Sequence, residues 1–197
     1  MASKVGMANA ALTKIGGNAI LSLTEETEEA RQCNTRFDDI MDLVLQSHPW
    51  NFAQHRATLV PLTDSPDHEW DYQFLLPTNP YCLRVNEVYN NPNYKVEGRK
   101  LLCNDSSVSI TYTKRIVDVN DLSAMFRECF ALYLASELAY PIAGSSSKGE
   151  SLLVQFNALI RPTRSIDGQE GTPENFKTGT WYNERGQKSS RYVIARQ

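Results

Sequence analysis

Along the first fifty residues the apolar positions recur at steps of three and four, the spacing of helix faces. Val5, Ala8, Leu12 and Ile15 share one face of a helix predicted from Ser3 to Ile15. Gly16-Gly17 ends it, because glycine readily takes the left-handed conformation that closes a helix. Ile20 and Leu21 lead into a second helix with Thr24 as the expected cap. Its apolar face runs through Ala30, Cys33, Phe37, Ile40/Met41 and Val44/Leu45. Glu25, Glu26, Glu28 and Glu29 crowd its first turns, where carboxylates complement the positive end of the helix dipole. Asp38, Asp39 and Asp42 fall largely off the apolar face. Pro49 stops the helix, since proline disfavours helical geometry in the residue before it, His48.

From Arg56 to Val117 the period drops to two. Trp70, Tyr72 and Phe74 alternate with Asp71 and Gln73, and Val108, Ile110 and Tyr112 alternate with Ser109, Thr111 and Thr113. Leu83 and Val85 flank Arg84, and Tyr94 and Val96 precede a hairpin turn at Gly98 followed by Leu101 and Leu102. Proline-containing turn clusters with Asp, Ser, Thr or Asn at 64–67, 77–80 and 90–93 punctuate the run. The pattern predicts five or six half-buried antiparallel strands.

Helical spacing returns at Leu122–Tyr140, after a cap in Asp118–Asp121, and the near-continuous apolarity of that segment marks a central helix. Pro141 and Gly144 are expected to end it, with a loop at Ser145–Gly149. A fourth helix is predicted over Glu150–Ile160, with Leu152, Leu153, Phe156, Leu159 and Ile160 inward and Pro162 beyond its end. From residue 163 on, glycines break every period, yet Phe176, Trp181, Tyr182 and Tyr192 remain, which a free disordered tail usually lacks. The fold class is therefore α+β. It is a bundle of about four helices, with an antiparallel β domain inserted between the second and third and an extended C-terminal arm. The boundaries fall at 1–50, 51–117, 118–162 and 163–197.

Charge adds one feature. The chain carries a net −3, so it has no global basic field of the kind a dedicated DNA-binding domain shows. Residues 18–48 hold seven acids against two arginines, whereas Lys188, Arg191 and Arg196 stand in the last stretch without an acid. No apolar run approaches the roughly 20 residues that span a bilayer. The first residues hold no apolar signal core, so secretion is not expected, and the dispersed Cys33, Cys82, Cys103 and Cys129 are expected as reduced core residues.

Candidate chemistry is thin. His48 and His55 are seven apart across a proline and cannot share a helix face as a zinc pair. Asp64, Asp67, Glu69 and Asp71 lack the ligand spacing of a calcium loop. Glu69 and Asp71 lie two apart, on one face of a possible strand, and are the carboxylates a glycan hydrolase would use. Ser145 and Lys148 match an SxxK spacing without the partners of a serine acyl-enzyme. Cys129 lies mid-helix on an apolar face, as a core cysteine does. No enzyme, metal or cofactor is expected.

The order of several segments carries more. Leu12-Thr13-Lys14-Ile15-Gly16-Gly17, Ile20, Ser22-Leu23, Ala30, Cys33 and His48-Pro49-Trp50-Asn51-Phe52-Ala53 together resemble the tail tubular protein A family of short-tailed phages. Arg56-Ala57-Thr58-Leu59, Trp70-Asp71-Tyr72, Leu76-Pro77, Leu134-Ala135-Ser136-Glu137-Leu138-Ala139 and Gly144-Ser145 extend the likeness over about residues 5–165. The resemblance implies a virion protein made in the host cytoplasm and placed at the head–tail interface. It implies a ring of twelve copies between the portal and the tail nozzle protein, with tail fibres near that junction. Genomic DNA would pass through the lumen without specific binding, and no membrane would be involved. It also implies a helical bundle with an inserted β domain.

A closed ring repeats one interface between two unlike faces. The acidic residues Glu25, Glu26, Glu28, Glu29, Asp38, Asp39 and Asp42 are candidates for one face. Trp181, Tyr182, Lys188, Arg191, Tyr192 and Arg196 are candidates for docking on the portal or a neighbour. His48, Pro49, Trp50 and Phe52 form the helix-to-β junction. Deleting residues 166–197 is expected to remove portal binding and leave the fold intact. The alternatives from other classes are a tail-associated glycan hydrolase and an assembly chaperone that leaves the finished particle.

Overall fold

The computed structural model describes residues 2–89 and 93–171. Ser3 caps α1 (Lys4–Ile15) by accepting a hydrogen bond from the Gly6 amide, and Gly16 closes it at a φ of 78°. Met7, Ala8, Ala11, Leu12 and Ile15 are its buried face. The second helix, α2 (Glu28–Gln46), begins later than its acidic run suggests. Thr27, not Thr24, is the cap, and its side chain accepts from the Ala30 amide. Thr24 instead belongs to a tight loop in which Ser22 Oγ lies 2.8 Å from Thr24 Oγ1. Glu25 stays outside the helix and accepts the Leu21 amide at 3.0 Å. The predicted apolar face of α2, Ala30 through Leu45, is buried throughout.

Among the described residues six strands follow, in two three-stranded antiparallel sheets. β1 (Gln54–Leu59), β6 (Val108–Lys114) and β3 (Cys82–Tyr89) form one, in the order β1-β6-β3. β2 (Tyr72–Leu75), β5 (Lys100–Cys103) and β4 (Lys95–Glu97) form the other, in the order β2-β5-β4. Gly98, at a φ of 56°, turns the β4–β5 hairpin where the sequence places it. Leu59, Phe74, Leu101, Val108, Ile110 and Tyr112 belong to one core shared by the two sheets. β6 departs from the expected half-burial, since Thr111 and Thr113 are buried as well. A central strand has neighbours on both edges, and here its second face is occupied by Tyr89 and Asn86, which hydrogen-bond Thr111 and Thr113.

The third helix, α3 (Ala124–Ala143), is capped by Ser123, while Asp118 caps a separate 3-10 turn at Val119–Asp121. Pro141 lies inside α3, and Gly144, at a φ of 63°, ends it. The expected loop at Ser145–Gly149 is instead the start of α4 (Ser146–Gln169), with Ser145 as its cap. Pro162 sits within α4 rather than after it. An interior proline costs about 3 kcal/mol. The turns beyond it are anchored nonetheless, by the hydrogen bonds that Asp167 and Asn51 exchange and by Thr163, whose Oγ1 lies 3.4 Å from Cys129 Sγ. Leu152, Phe156 and Ile160 point inward as predicted, whereas Leu153 is exposed. The architecture is thus α+β, with four helices around one core and the paired sheets around a second. The arm boundary at 163 is corrected, because helix continues through Gln169.

Candidate functional site

The junction stretch builds a densely packed aromatic site. Trp50 is fully buried in the helical core. Its ring stands edge-on to Phe126 at 5.1 Å and stacks with Phe52 at 5.8 Å, and His48 closes its other side at 4.8 Å. Its indole N–H donates to the Val44 carbonyl at 3.1 Å. The side chains of one short stretch therefore tie the last turn of α2 to α3 before the chain enters β1.

Asp167, more than a hundred residues away on α4, completes the joint. Both its carboxylate oxygens accept from the Asn51 amide at 3.1 Å, and the Asn51 side chain donates back to the Asp167 carbonyl. His48 Nε2 lies 3.5 Å from the same carboxylate. Distance alone suggests an ion pair, yet burial is the leading effect on His48 and holds its pKa below the ordinary value. Burial thus works against the charged ring and against an ion pair with Asp167. Burial likewise raises the Asp167 carboxyl, against the lowering effect of the Asn51 amide. Sequence reading missed Asp167 because it lies past Pro162, where the helix was expected to have stopped. A cut at 166 would remove this carboxylate, so the fold is not expected to survive that deletion intact.

The other candidates occupy separate places. Of the acidic residues, Asp38 pairs with Lys4 at 2.9 Å, Asp42 pairs with Arg115, and Glu28 pairs with Arg31 at 2.7 Å. Glu29 accepts from the Asn18 side chain. Glu26 and Asp39 are exposed. Three of those seven carboxylates are thus paired with a cation within the chain. Glu69 and Asp71 precede β2 instead of sharing a strand face; Glu69 has a φ of 69°, and the Asp71 amide donates to Asn104. Ser145 is a helix cap, and Lys148 Nζ donates to the Ile15 carbonyl at 2.8 Å, closing the end of α1. Cys33, Cys82, Cys103 and Cys129 are free thiols, all buried. Trp181, Tyr182, Lys188, Arg191, Tyr192 and Arg196 lie outside the described residues.

Among the described residues no helix is long and apolar enough to cross a membrane, and no group of three or more His, Cys, Asp or Glu could hold a metal ion. A scan against protein-family models finds no match for this chain, and a search of curated proteins finds none either.

Proposed function

We propose that this chain is a structural virion protein, a ring-forming head-to-tail adaptor between a portal and a tail nozzle, with DNA passing through its lumen. The single observation that carries the reading is the junction. The segment at the centre of the resemblance, His48 to Ala53, folds into the joint that ties α2, α3 and α4 together where the chain passes into β1. A ring subunit needs two unlike faces, and here a tied helical unit carries the sheets, which Arg115 and Arg84 fasten to α2 through Asp42 and the Gln46 carbonyl. The exposed apolar side chains support it from the surface. Tyr140 and Val154 stand out from α3 and α4, and Val60, Leu62 and Leu75 from the β unit, so two unlike parts of the molecule expose apolar side chains.

The test is electron microscopy of the purified protein mixed with portal. A ring stacked on the portal is the expected image. Protein that stays off the portal and is missing from finished particles would refute the adaptor and favour a chaperone. A chain cut after Gly171 keeps the whole α4 joint, and on this reading it folds normally but loses portal binding. Retained binding would remove Trp181, Tyr182 and Tyr192 from the contact.

A further inference from the structure

The C-terminal end of α2 and the two sheets enclose a cleft of about 460 Å³, lined by residues of both. That lies within the roughly 300–1,000 Å³ of ordinary binding pockets. The cleft is positive on a chain that is negative overall: Arg84, Arg99 and Arg115 line it, with Asp42 as the one acid. Asp42 neutralises Arg115. Arg99 donates to the main-chain carbonyls of Cys82, Pro77 and Leu76, and its guanidinium lies 4.1 Å from the Tyr81 ring centroid. Arg84 donates to the Gln46 carbonyl at 3.1 Å. Neither of these two arginines has a carboxylate within ion-pair distance among the described residues. Beside them the exposed Tyr94 and Val96 give the cleft an apolar lip.

The complementary features sit at the other end of the same helix. Leu21 is 93% exposed, extreme for a leucine. It belongs to a loop made rigid by its own hydrogen bonds: the Leu21 amide to Glu25, and the Glu25 amide to the Ser22 carbonyl at 3.3 Å. Glu26 is exposed on that loop. Between Glu28 and Asp42 the helix runs about 20 Å at 1.5 Å per residue, so the loop cannot reach its own cleft.

We infer that the 21–26 loop of one copy docks in the cleft of the next. Leu21 packs on Tyr94 and Val96, and the Glu26 carboxylate meets Arg99. Tyrosine and arginine, both present in the cleft, are enriched at interfaces, and a complementary charge fixes the register of the contact. Because knob and cleft are different surfaces, the contact is heterologous and repeats from copy to copy. The inference rests on the ring reading above and names its neighbour contact.

Sedimentation velocity of the full chain tests it with variants confined to exposed residues, whose loss leaves the fold unchanged. Leu21→Ser with Glu26→Gln removes the knob, and Val96→Asp blocks the cleft. Wild type is expected to associate with rising concentration, and each variant at least tenfold more weakly. An equimolar mixture of the two holds one good knob and one good cleft, so it stops at dimers. Association of either variant at wild-type strength overturns the contact, as does a mixture that stays monomeric or a wild type that never associates. Wild-type rings on the portal that both variants also form would sink this contact while leaving the adaptor reading in place.

Discussion

Replacing Trp50 separates the two forces that hold the junction. A buried tryptophan removes roughly 150–250 Å² from water, worth about 4–6 kcal/mol at about 25 cal/mol per Å². That is an upper bound, because the unfolded chain already buries part of this area. Measured losses for large aromatic to alanine changes run about 3–5 kcal/mol, so Trp50→Ala is expected to cost about 4 kcal/mol. The indole hydrogen bond contributes little of that. Its acceptor, the Val44 carbonyl, also receives the Ser47 amide at 3.3 Å and the Ser47 hydroxyl at 2.7 Å. Losing the indole N–H therefore leaves no unpaired acceptor, which is the expensive case. Trp50→Phe keeps most of the contact with Phe126 and is expected to cost only about 1–2 kcal/mol, from the smaller ring and one net hydrogen bond. Urea unfolding followed by far-ultraviolet circular dichroism measures both. If Trp50→Phe were as damaging as Trp50→Ala, the hydrogen bond and not the burial would hold the joint. A Trp50→Ala loss below about 1 kcal/mol would mean that the residue is not part of the core, against what its burial implies.

Three further outcomes follow from the same structure. Gly149 backs onto α3 so closely that an added Cβ would lie 2.9 Å from the Ser136 carbonyl oxygen. The gain of about 1 kcal/mol in helix propensity from Gly149→Ala is expected to be outweighed by overpacking of about 1–3 kcal/mol, and a rise in melting temperature would contradict the close approach. Burial holds His48 below its ordinary value, so its contribution to stability is full above pH 6.5 and is lost as pH falls below it. Asp167, raised above 3.8 by burial, runs the other way, since its contribution is present below that value and is lost as pH rises through the raised one. Acidifying from pH 7 is therefore expected to lower the melting temperature first through His48, and His48→Gln should flatten that slope; an unchanged slope would clear His48 of the effect. Burial raises the thiols of Cys82, Cys129 and Cys33, the last to about 11. A thiol reagent is thus expected to label the four cysteines slowly in native protein and completely in denaturant, and fast native labelling of Cys33 would show that the α2 face opens.

The local pattern of the chain determined the order of helices and strands, though not the ends of α4, and which side of α2 is buried. It also determined the turns at Gly16, Gly98 and Gly144. These depend on neighbours within a few residues, so spacing and backbone freedom suffice to read them. Tertiary structure decided the rest. Thr24 and Thr27 are equally good caps by chemistry, and the choice fell to the one that starts the helix where Ala30 and Cys33 meet the core. Pro141 and Pro162 look like stops, yet both lie inside helices. For α4, the turns beyond Pro162 are held by the hydrogen bonds between Asp167 and Asn51. The partnership of Asp167 with Asn51 and His48, and the meeting of Arg84, Arg99 and Arg115 at one cleft, join residues far apart in the chain. No local period encodes such contacts, because they exist only once the helical and sheet cores have packed together.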